Sequence, residues 1–296
     1  MKDKKYLYAS AAALATNVIF GFSFLFSKVA LSYAHPLVII AVRFTVAFTL
    51  LTLLWGIGIF KMSFKNKPKG RLLIMALAQP VLYYICELYG IKLTSSALSG
   101  VIISLVPVVV IILSTLFLKE RPTLKQILFS ALSLVAVALI SISSNDKNKN
   151  TVFGILLLLG AVLCASVFNI LSRNQSKEYS PVERTYAMFF FGTVSFNLIA
   201  LATLKADYIN EITNAISHPE FIGAIAYLSI LSSIIAFLFY NYSTTILPPV
   251  KSASYSNLIT VVSVLAGIFI LGEALSPFTL ICCGAVIIGV IGTNKQ

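Results

Sequence analysis

Charged residues are scarce in this sequence. They make up 11% of the 296 residues, whereas apolar residues make up 58% and the mean hydropathy is +0.95. About a quarter of a typical soluble domain is charged, so this chain has too few charges to cover a water-exposed surface. Its apolar residues instead fall in runs of about 20, the length that an α-helix needs to cross the hydrocarbon core of a bilayer. The composition therefore predicts an all-α integral membrane protein.

Histidine and cysteine are too few and too scattered to build a metal site or a disulfide framework. The two histidines lie in predicted loops, and the four cysteines lie in apolar runs without a CxxC pair. A thiol in such a run behaves as a small buried hydrophobe, so we expect no disulfide framework and no metal or other cofactor. The GxxxxGK[ST] phosphate-binding loop is also missing, so the chain is not expected to use ATP itself.

Ten apolar segments are separated by charged clusters and by Pro, Gly, Asn and Lys breaks. They cover roughly residues 7–32, 36–60, 72–91, 95–118, 126–143, 152–172, 185–204, 219–242, 252–271 and 276–293. Several of the links between them are short, and a short link forces neighbouring spans to run antiparallel. The sequence therefore predicts a compact bundle of ten transmembrane helices.

Basic residues concentrate on one side of this arrangement. With a cytoplasmic N-terminus, 16 of the 22 lysines and arginines fall in inner segments, 4 in outer segments, and Lys28 and Arg43 within spans. Positive charge collects in the cytoplasmic loops of membrane proteins, so we expect both termini to be cytoplasmic. The net charge of +12 then requires no nucleic-acid partner.

The second half of the sequence echoes the first. Ser99–Ile140 aligns with Ser252–Gly292 at a constant offset, so that Glu120 matches Glu273 at the end of a long apolar run. Each half contains five spans, and an odd number reverses the orientation of the second half. The pattern predicts two inverted five-helix repeats, over residues 1–150 and 151–296. Inverted repeats are common in secondary transporters, whose substrate site lies near the midplane between them.

The same segments resemble the drug/metabolite transporter superfamily, in its ten-helix EamA-type branch. The resemblance rests on Asn17–Lys28 (NVIFGFSFLFSK), PLVIIAVRF from Pro36, Leu93–Pro107 (LTSSALSGVIISLVP), Tyr240–Asn241 and the two Leu-x-Glu endings. It covers the whole chain, although Thr260 stands where the family usually has a proline in the second half. The resemblance implies a multi-pass transporter of small organic solutes in the cytoplasmic membrane of a prokaryotic cell. It does not specify the cargo.

Three charged residues fall inside predicted spans. A charge in the hydrocarbon core costs free energy, so each of these residues is expected to have a structural or functional role. Lys28 either snorkels to the membrane surface or lines a cavity. Arg43 either holds helices together or attracts an anionic substrate group. Glu87, in a stripe with Gln79 and Tyr83, has three readings: an ion pair with Arg43 or Lys28, a substrate or proton site, or a partly solvated rim residue. Glu120 and Glu273, at span ends, are expected to be structural.

Aromatic and amide side chains complete a predicted cavity that suits an organic solute better than a bare ion. The cavity candidates are Asn17, Phe20, Gly21, Tyr83, Glu87, Asn169, Tyr240, Asn241, Tyr255 and Asn257. The serines of the ninth span have an alternative role in close helix packing.

A secondary carrier working by alternating access fits these observations better than an enzyme or a channel. No span contains two carboxylates or a histidine, as a catalytic set would require, and the two-fold repeat favours alternating access. We expect an exporter of an amino acid or related amine, because Glu87 can pair with an ammonium group. A facilitative carrier of a sugar, a nucleotide-related metabolite or a drug is the alternative. The expected partners are the solute, the lipid bilayer and, for a coupled carrier, protons; a monomer is compatible with the repeat.

Overall fold

In the part of the chain that the computed structural model describes, all regular secondary structure is helical. That part comprises residues 2–65, 67, 69–93, 102–103, 105–118, 122–143, 152–271 and 277–294. Glu120 and Glu273 lie outside the described residues, as do the side chains of Lys28 and Thr260, so the predictions for them stay predictions.

The helices follow one another along the chain with three π-helical segments among them. Up to residue 143 they are α1 (Lys2–Leu31), α2 (Pro36–Gly56), α3 (Lys69–Ala76), π1 (Leu77–Leu82), α4 (Tyr83–Leu93), α5 (Val106–Leu113), π2 (Ser114–Leu118) and α6 (Leu124–Ser143). The remaining elements are α7 (Val152–Gln175), α8 (Pro181–Leu204), α9 (Asp207–Ala215), α10 (Pro219–Ala226), π3 (Tyr227–Ile235), α11 (Ala236–Ile246), α12 (Pro249–Ser254), α13 (Asn257–Leu271) and α14 (Pro277–Asn294).

Six stretches of the described chain are long and apolar enough to cross a membrane, judged by length and composition. They are Lys4–Leu31, Pro36–Gly56, Gly70–Gly90, Val152–Gln175, Pro181–Leu204 and Pro219–Ile246. Shorter apolar helices cover Val106–Phe117, Leu124–Ala136 and Gly284–Thr293. All nine fall within predicted spans or overlap them, and the third and last of the six each continue through a π-helical segment.

Helix α8 begins four residues earlier than the apolar pattern predicts. Ser180 and Glu183 form a capping box, in which the Ser180 hydroxyl accepts from the Glu183 N–H and the Glu183 carboxylate accepts from the Ser180 N–H at 2.9 Å. Pro181 occupies the first turn, where its missing N–H costs nothing. The same carboxylate accepts from Lys67 Nζ at 2.6 Å and from the Ser63 N–H at 2.8 Å. Glu183 therefore ties the loop after α2 to the start of α8.

An aromatic core holds α2 against α8. The ring of Phe44 lies 5.7 Å from that of Phe189 and 5.2 Å from that of Phe196, and all three side chains are fully buried. Gly192 makes this approach possible, because a β-carbon there would lie 2.8 Å from the Phe44 ring. Such edge-on aromatic contacts add to the dispersion energy that holds two helices together in lipid.

Several helices are interrupted within the bundle. In π1, Gln79 has an extended backbone (φ −146°, ψ 120°), and Pro80 lacks the N–H that a regular helix would use. Tight turns also precede α5 and α13, where the Leu105 N–H bonds the Ile102 carbonyl and the Leu258 N–H bonds the Tyr255 carbonyl, both at 3.0 Å. Irregular backbone at membrane depth is tolerated where it lies inside protein or lines a cavity. These interruptions therefore mark the interior positions at which a site can form.

Candidate functional site

Glu87 and Tyr83 lie one turn apart on α4 and are hydrogen-bonded to each other. The Tyr83 hydroxyl donates to Glu87 Oε1 at 2.6 Å. The predicted stripe with Gln79 does not continue, because the extended backbone of Gln79 in π1 breaks the helical register before Tyr83. The structure thus keeps two members of the stripe together and separates the third.

Arg43 is buried, with 5% of its surface exposed, and donates to a pair of serines on π3. Its Nε lies 2.9 Å from Ser233 Oγ, and its Nη2 lies 3.0 Å from Ser232 Oγ. The guanidinium carbon stands 5.1 Å above the centre of the Tyr84 ring, a favourable position for a cation on an aromatic face.

Arg43 and Glu87 do not form a direct ion pair. Within the described residues, the ion pairs closer than 4.0 Å are Lys67–Glu183 and Arg71–Glu178. A chain of contacts brings the two groups near each other: the guanidinium lies over the Tyr84 ring, the Tyr84 ring lies 5.3 Å from the Tyr83 ring and nearly perpendicular to it, and Tyr83 bonds Glu87. We call Arg43, Tyr83, Tyr84, Glu87, Ser232 and Ser233 the charged cluster.

A second group joins α7, α11 and α1 through aromatic rings. Asn169 Nδ2 donates to the Tyr240 hydroxyl at 2.7 Å, and the Phe168 ring stacks on Tyr240 with 5.5 Å between centroids. Phe20 meets Phe237 edge-on at 5.4 Å. Asn169 is 1% exposed, yet its Oδ1 has no hydrogen-bond partner. A buried amide oxygen without a partner is costly, which makes this position a candidate ligand contact.

Asn241, also predicted for the cavity, is fully buried and takes part in helix packing. Its Oδ1 accepts from Ser172 Oγ at 2.8 Å, and its Nδ2 donates to Thr185 Oγ1 at 2.9 Å. These bonds connect α11 to α7 and α8. With both ends of the amide occupied, Asn241 acts as a bridge between three helices.

The centre of that network is Arg184, which is fully buried. Its Nη1 donates to the Ser172 carbonyl at 2.6 Å and to the Ser172 hydroxyl at 2.7 Å. Its Nη2 donates to the Asn241 carbonyl and, at 2.6 Å, to Thr245 Oγ1. Sequence reasoning missed this role because it placed Arg184 in an inner loop. The capping box at Ser180 was the signal that the helix already includes this position.

The remaining candidates spread along α1 and the start of α13. Asn17 Nδ2 donates to the carbonyl of Ala13 in its own helix at 2.7 Å. Tyr255 packs in an apolar cluster with Ala9 and Ala13. Asn257 is 1% exposed, and neither its amide nitrogen nor its amide oxygen has a partner. Asn257 therefore shares with Asn169 the property of an unsatisfied buried amide.

Gly21 lies at the contact between α1 and α13. A β-carbon there would lie 2.5 Å from Val262 Cβ and 3.1 Å from the Ile259 carbonyl oxygen. We expect Gly21→Ala to push the two helices apart and to lower the free energy of unfolding by about 1–3 kcal/mol, the usual cost of overpacking. Thermal unfolding of the detergent-solubilised protein measures this effect.

Gly223→Ala is the matched control, since a β-carbon at Gly223 would meet nothing within 4 Å. It should leave stability unchanged or raise it slightly, because alanine favours a helix over glycine. If the two variants unfolded at the same temperature, the close approach of α1 and α13 at Gly21 would not contribute to the free energy of unfolding.

A sequence model of the EamA-like transporter family matches this chain twice, over residues 7–142 and 152–295. The chain belongs to the EamA-like transporter family. This transporter is 33% identical over 288 residues to the uncharacterized transporter YcxC of Bacillus subtilis, covering 97% of this chain and 92% of the relative. An uncharacterized transporter of Archaeoglobus fulgidus is 26% identical over 278 residues, covering 94% and 95% of the two chains.

A more distant relative has a more specific name. The probable terminal-alkyne amino-acid exporter of Streptantibioticus cattleyicolor is 24% identical over 198 residues, covering 67% of this chain and 64% of the relative. A solved crystal structure matches with a TM-score of 0.80 over 97% of this chain and 96% of that chain, at 17% identity. That likeness shows the fold. Together with the long apolar helices, the family places this EamA-like transporter among multi-pass membrane proteins that carry small solutes.

Proposed function

We propose that this EamA-like transporter exports an amino acid or a related amine across the cytoplasmic membrane as a secondary carrier. The observation that carries the proposal is Glu87, a carboxyl group inside a membrane-spanning stretch. Within the described residues it accepts one hydrogen bond, from Tyr83, and has no cation within 4.0 Å. Such a group can bind an ammonium group or a proton, and the two would compete for it. The name of the Streptantibioticus relative supports the same cargo class.

The proposed architecture is ten transmembrane helices with both termini in the cytoplasm, built as inverted units over residues 1–150 and 151–296. The distribution of basic residues supports the orientation, and the double match of the family supports the units. The turn at Ile102–Leu105 and the turn at Tyr255–Leu258 also support them, because they lie 153 residues apart, the offset that aligns Ser99 with Ser252.

Aromatic contacts near the centre of the bundle support the same two-fold relation. Phe44 meets Tyr84 at 5.4 Å and 71°, and Phe189 meets Phe237 at 6.1 Å and 90°. Phe189 follows Phe44 by 145 residues, the offset that aligns Pro36 with Pro181, and Phe237 follows Tyr84 by 153. Phe44 and Phe189 contact each other at 5.7 Å. A pseudo-two-fold axis that passes between these two rings would relate the two pairs.

Transport would proceed by rocking of the two units around a site near this axis. Glu87 would hold the amine of the cargo in one state and a proton in the other, so that proton entry drives amine export. The aromatic and amide group around Asn169 and Tyr240 would contact the organic part of the cargo. Alternating access of this kind needs no ATP and matches the design of inverted-repeat carriers.

The test is uptake of labelled amino acids and amines into liposomes that contain the purified protein, with and without a pH gradient. We expect saturable uptake that rises when the gradient drives protons outward through the carrier, compared with protein-free liposomes. Saturable uptake that ignores the gradient would make the protein a facilitative carrier. Absence of uptake for every amine and amino acid would contradict the cargo class and redirect the search to sugars, nucleotide-related metabolites and drugs.

A further inference from the structure

We infer that the cargo carries a carboxylate as well as an amino group, and that Arg43 binds the carboxylate while Glu87 binds the ammonium. This inference rests on the proposed function, because it treats the charged cluster as the substrate site. It narrows the cargo from amines in general to zwitterions, and it assigns a role to Arg43, Ser232 and Ser233.

The first argument is the unneutralised charge of Arg43. A guanidinium has five N–H donors, and Arg43 directs two of its nitrogens to neutral serine hydroxyls. No carboxylate of the described chain lies within 4.0 Å of it. A buried cation without a counter-ion is unfavourable, and a carboxylate is the ligand that a guanidinium can hold with two parallel hydrogen bonds.

Arg184, whose buried Nε has no hydrogen-bond partner, shows how the two terminal nitrogens of a structural buried arginine are satisfied in the same protein. Two backbone carbonyls, of Ser172 and Asn241, and three hydroxyls surround its two terminal nitrogens. Backbone carbonyls carry substantial partial negative charge, and they compensate the cation from several sides. Arg43 has no such bonds to carbonyls among the described residues, so its surroundings are those of a group that receives its counter-charge from a ligand.

The second argument is that the protein holds Arg43 away from Glu87. Ser233 Oγ donates its own proton to the Leu228 carbonyl at 2.9 Å and therefore presents a lone pair to Arg43. Tyr84 lies under the guanidinium, and its neighbour Tyr83 bonds Glu87. Arg43 and Glu87 therefore belong to one cluster without forming a salt bridge, an arrangement that a molecule carrying both complementary charges would bridge.

The consequence is that the site should distinguish amino acids from amines and acids that lack one of the two charged groups. An amine without a carboxylate would leave Arg43 uncompensated, and an acid without an amine would leave Glu87 uncompensated. Sites that bind a ligand through buried polar groups reject analogues that lack one of the partners, because the protein group is then left desolvated and unpaired. A zwitterion should therefore bind better than either half of its charge pattern.

The experiment measures binding to the detergent-solubilised full-length protein by isothermal titration calorimetry. The probes are the twenty standard amino acids, with the decarboxylated amine and the deaminated acid that match each amino acid that binds. We expect at least one amino acid to bind, and its matched amine and acid to bind at least about 30-fold more weakly, as for loss of one partner of a desolvated charge pair.

Two variants assign the roles. Arg43→Gln should bind an amino acid and its matched amine equally, and Glu87→Gln should bind an amino acid and its matched acid equally. Arg71→Gln is the matched control, because Arg71 is largely exposed and contacts Glu178 at 3.9 Å; it should keep the wild-type preference. A purely structural Arg43 could change overall affinity but not the ratio between amino acid and amine.

The outcomes separate the two proposals. Amines that bind as tightly as amino acids to the wild-type protein would overturn the zwitterion inference and leave amine carriage standing. Retention of the wild-type ratio by Arg43→Gln would also overturn it. If Arg43→Gln does not fold, the wild-type comparison and the Ser232→Ala, Ser233→Ala double variant decide, since the loosened guanidinium should lose part of the preference. Absence of binding by amines and amino acids alike would overturn both proposals.

Discussion

Glu87→Gln is expected to abolish gradient-driven transport while the protein remains folded and inserted in the membrane. Glutamine keeps the size of the side chain and can still accept the bond from Tyr83, but it carries no negative charge and cannot take up and release a proton near neutral pH. Loss of one partner of a desolvated charge pair costs about 3 kcal/mol, which corresponds to a roughly 100-fold reduction in amine uptake. Initial uptake rates in liposomes, normalised to the amount of reconstituted protein, measure the effect.

Glu220→Gln serves as the matched control for this change. Glu220 is an exposed acidic residue in the first turn of α10, 12 residues before Ser232, the nearest member of the charged cluster in sequence. Its replacement should leave the uptake rate and the response to the pH gradient intact. Wild-type uptake in the Glu87 variant would remove Glu87 from the mechanism, and the search for the cargo contacts would then turn to the buried amides Asn169 and Asn257.

Arg184→Met is expected to have the largest effect on stability. Arg184 joins the end of α7, the first turn of α8 and the last turn of α11 through five hydrogen bonds, and it is fully buried. The Ser172 carbonyl also accepts from the Ser176 N–H at 3.1 Å, and a cation near the C-terminal end of a helix interacts favourably with the helix dipole. We expect the free energy of unfolding to fall by about 4 kcal/mol, because several buried carbonyls and hydroxyls each lose a hydrogen bond to a charged donor, worth about 1.5–3 kcal/mol.

Melting of the detergent-solubilised protein, followed by size-exclusion chromatography, measures this loss. Arg184→Lys should recover part of the stability, because an ammonium restores the charge but not the two-pronged geometry. Arg71→Met is the control at an exposed pair, which is typically worth about 0–1 kcal/mol. An unchanged melting temperature for Arg184→Met would mean that neighbouring hydroxyls satisfy the carbonyls without the guanidinium.

The class of the protein was predictable because lipid imposes a simple rule. A chain in a bilayer must satisfy its backbone hydrogen bonds within itself and present apolar side chains outward, and both demands are visible in the composition. The family was predictable from short motifs spread over the whole chain. The start of α8 was missed, although the Ser180–Glu183 capping box signals it locally.

The site was predictable only as a set of residues. Tyr83 and Glu87 share a helix face, so their contact follows from spacing alone. The loss of Gln79 from that face depends on how the bundle accommodates Pro80. The role of Asn241 depends on Ser172 and Thr185, which come from two other helices.

The sequence by itself determined that this protein is helical, lies in a membrane, belongs to the EamA-like transporters and carries charged residues within its apolar spans at Arg43 and Glu87. These properties follow from local composition, periodicity and short motifs. The tertiary structure decided that Arg43 bonds Ser232 and Ser233 and does not pair with Glu87. It also decided that Arg184 is buried and joins α7, α8 and α11 through hydrogen bonds. The physical reason is that hydrogen-bond partners for a buried charge are chosen by which helices meet in space, and Arg43 meets serines 189 and 190 residues away along the chain.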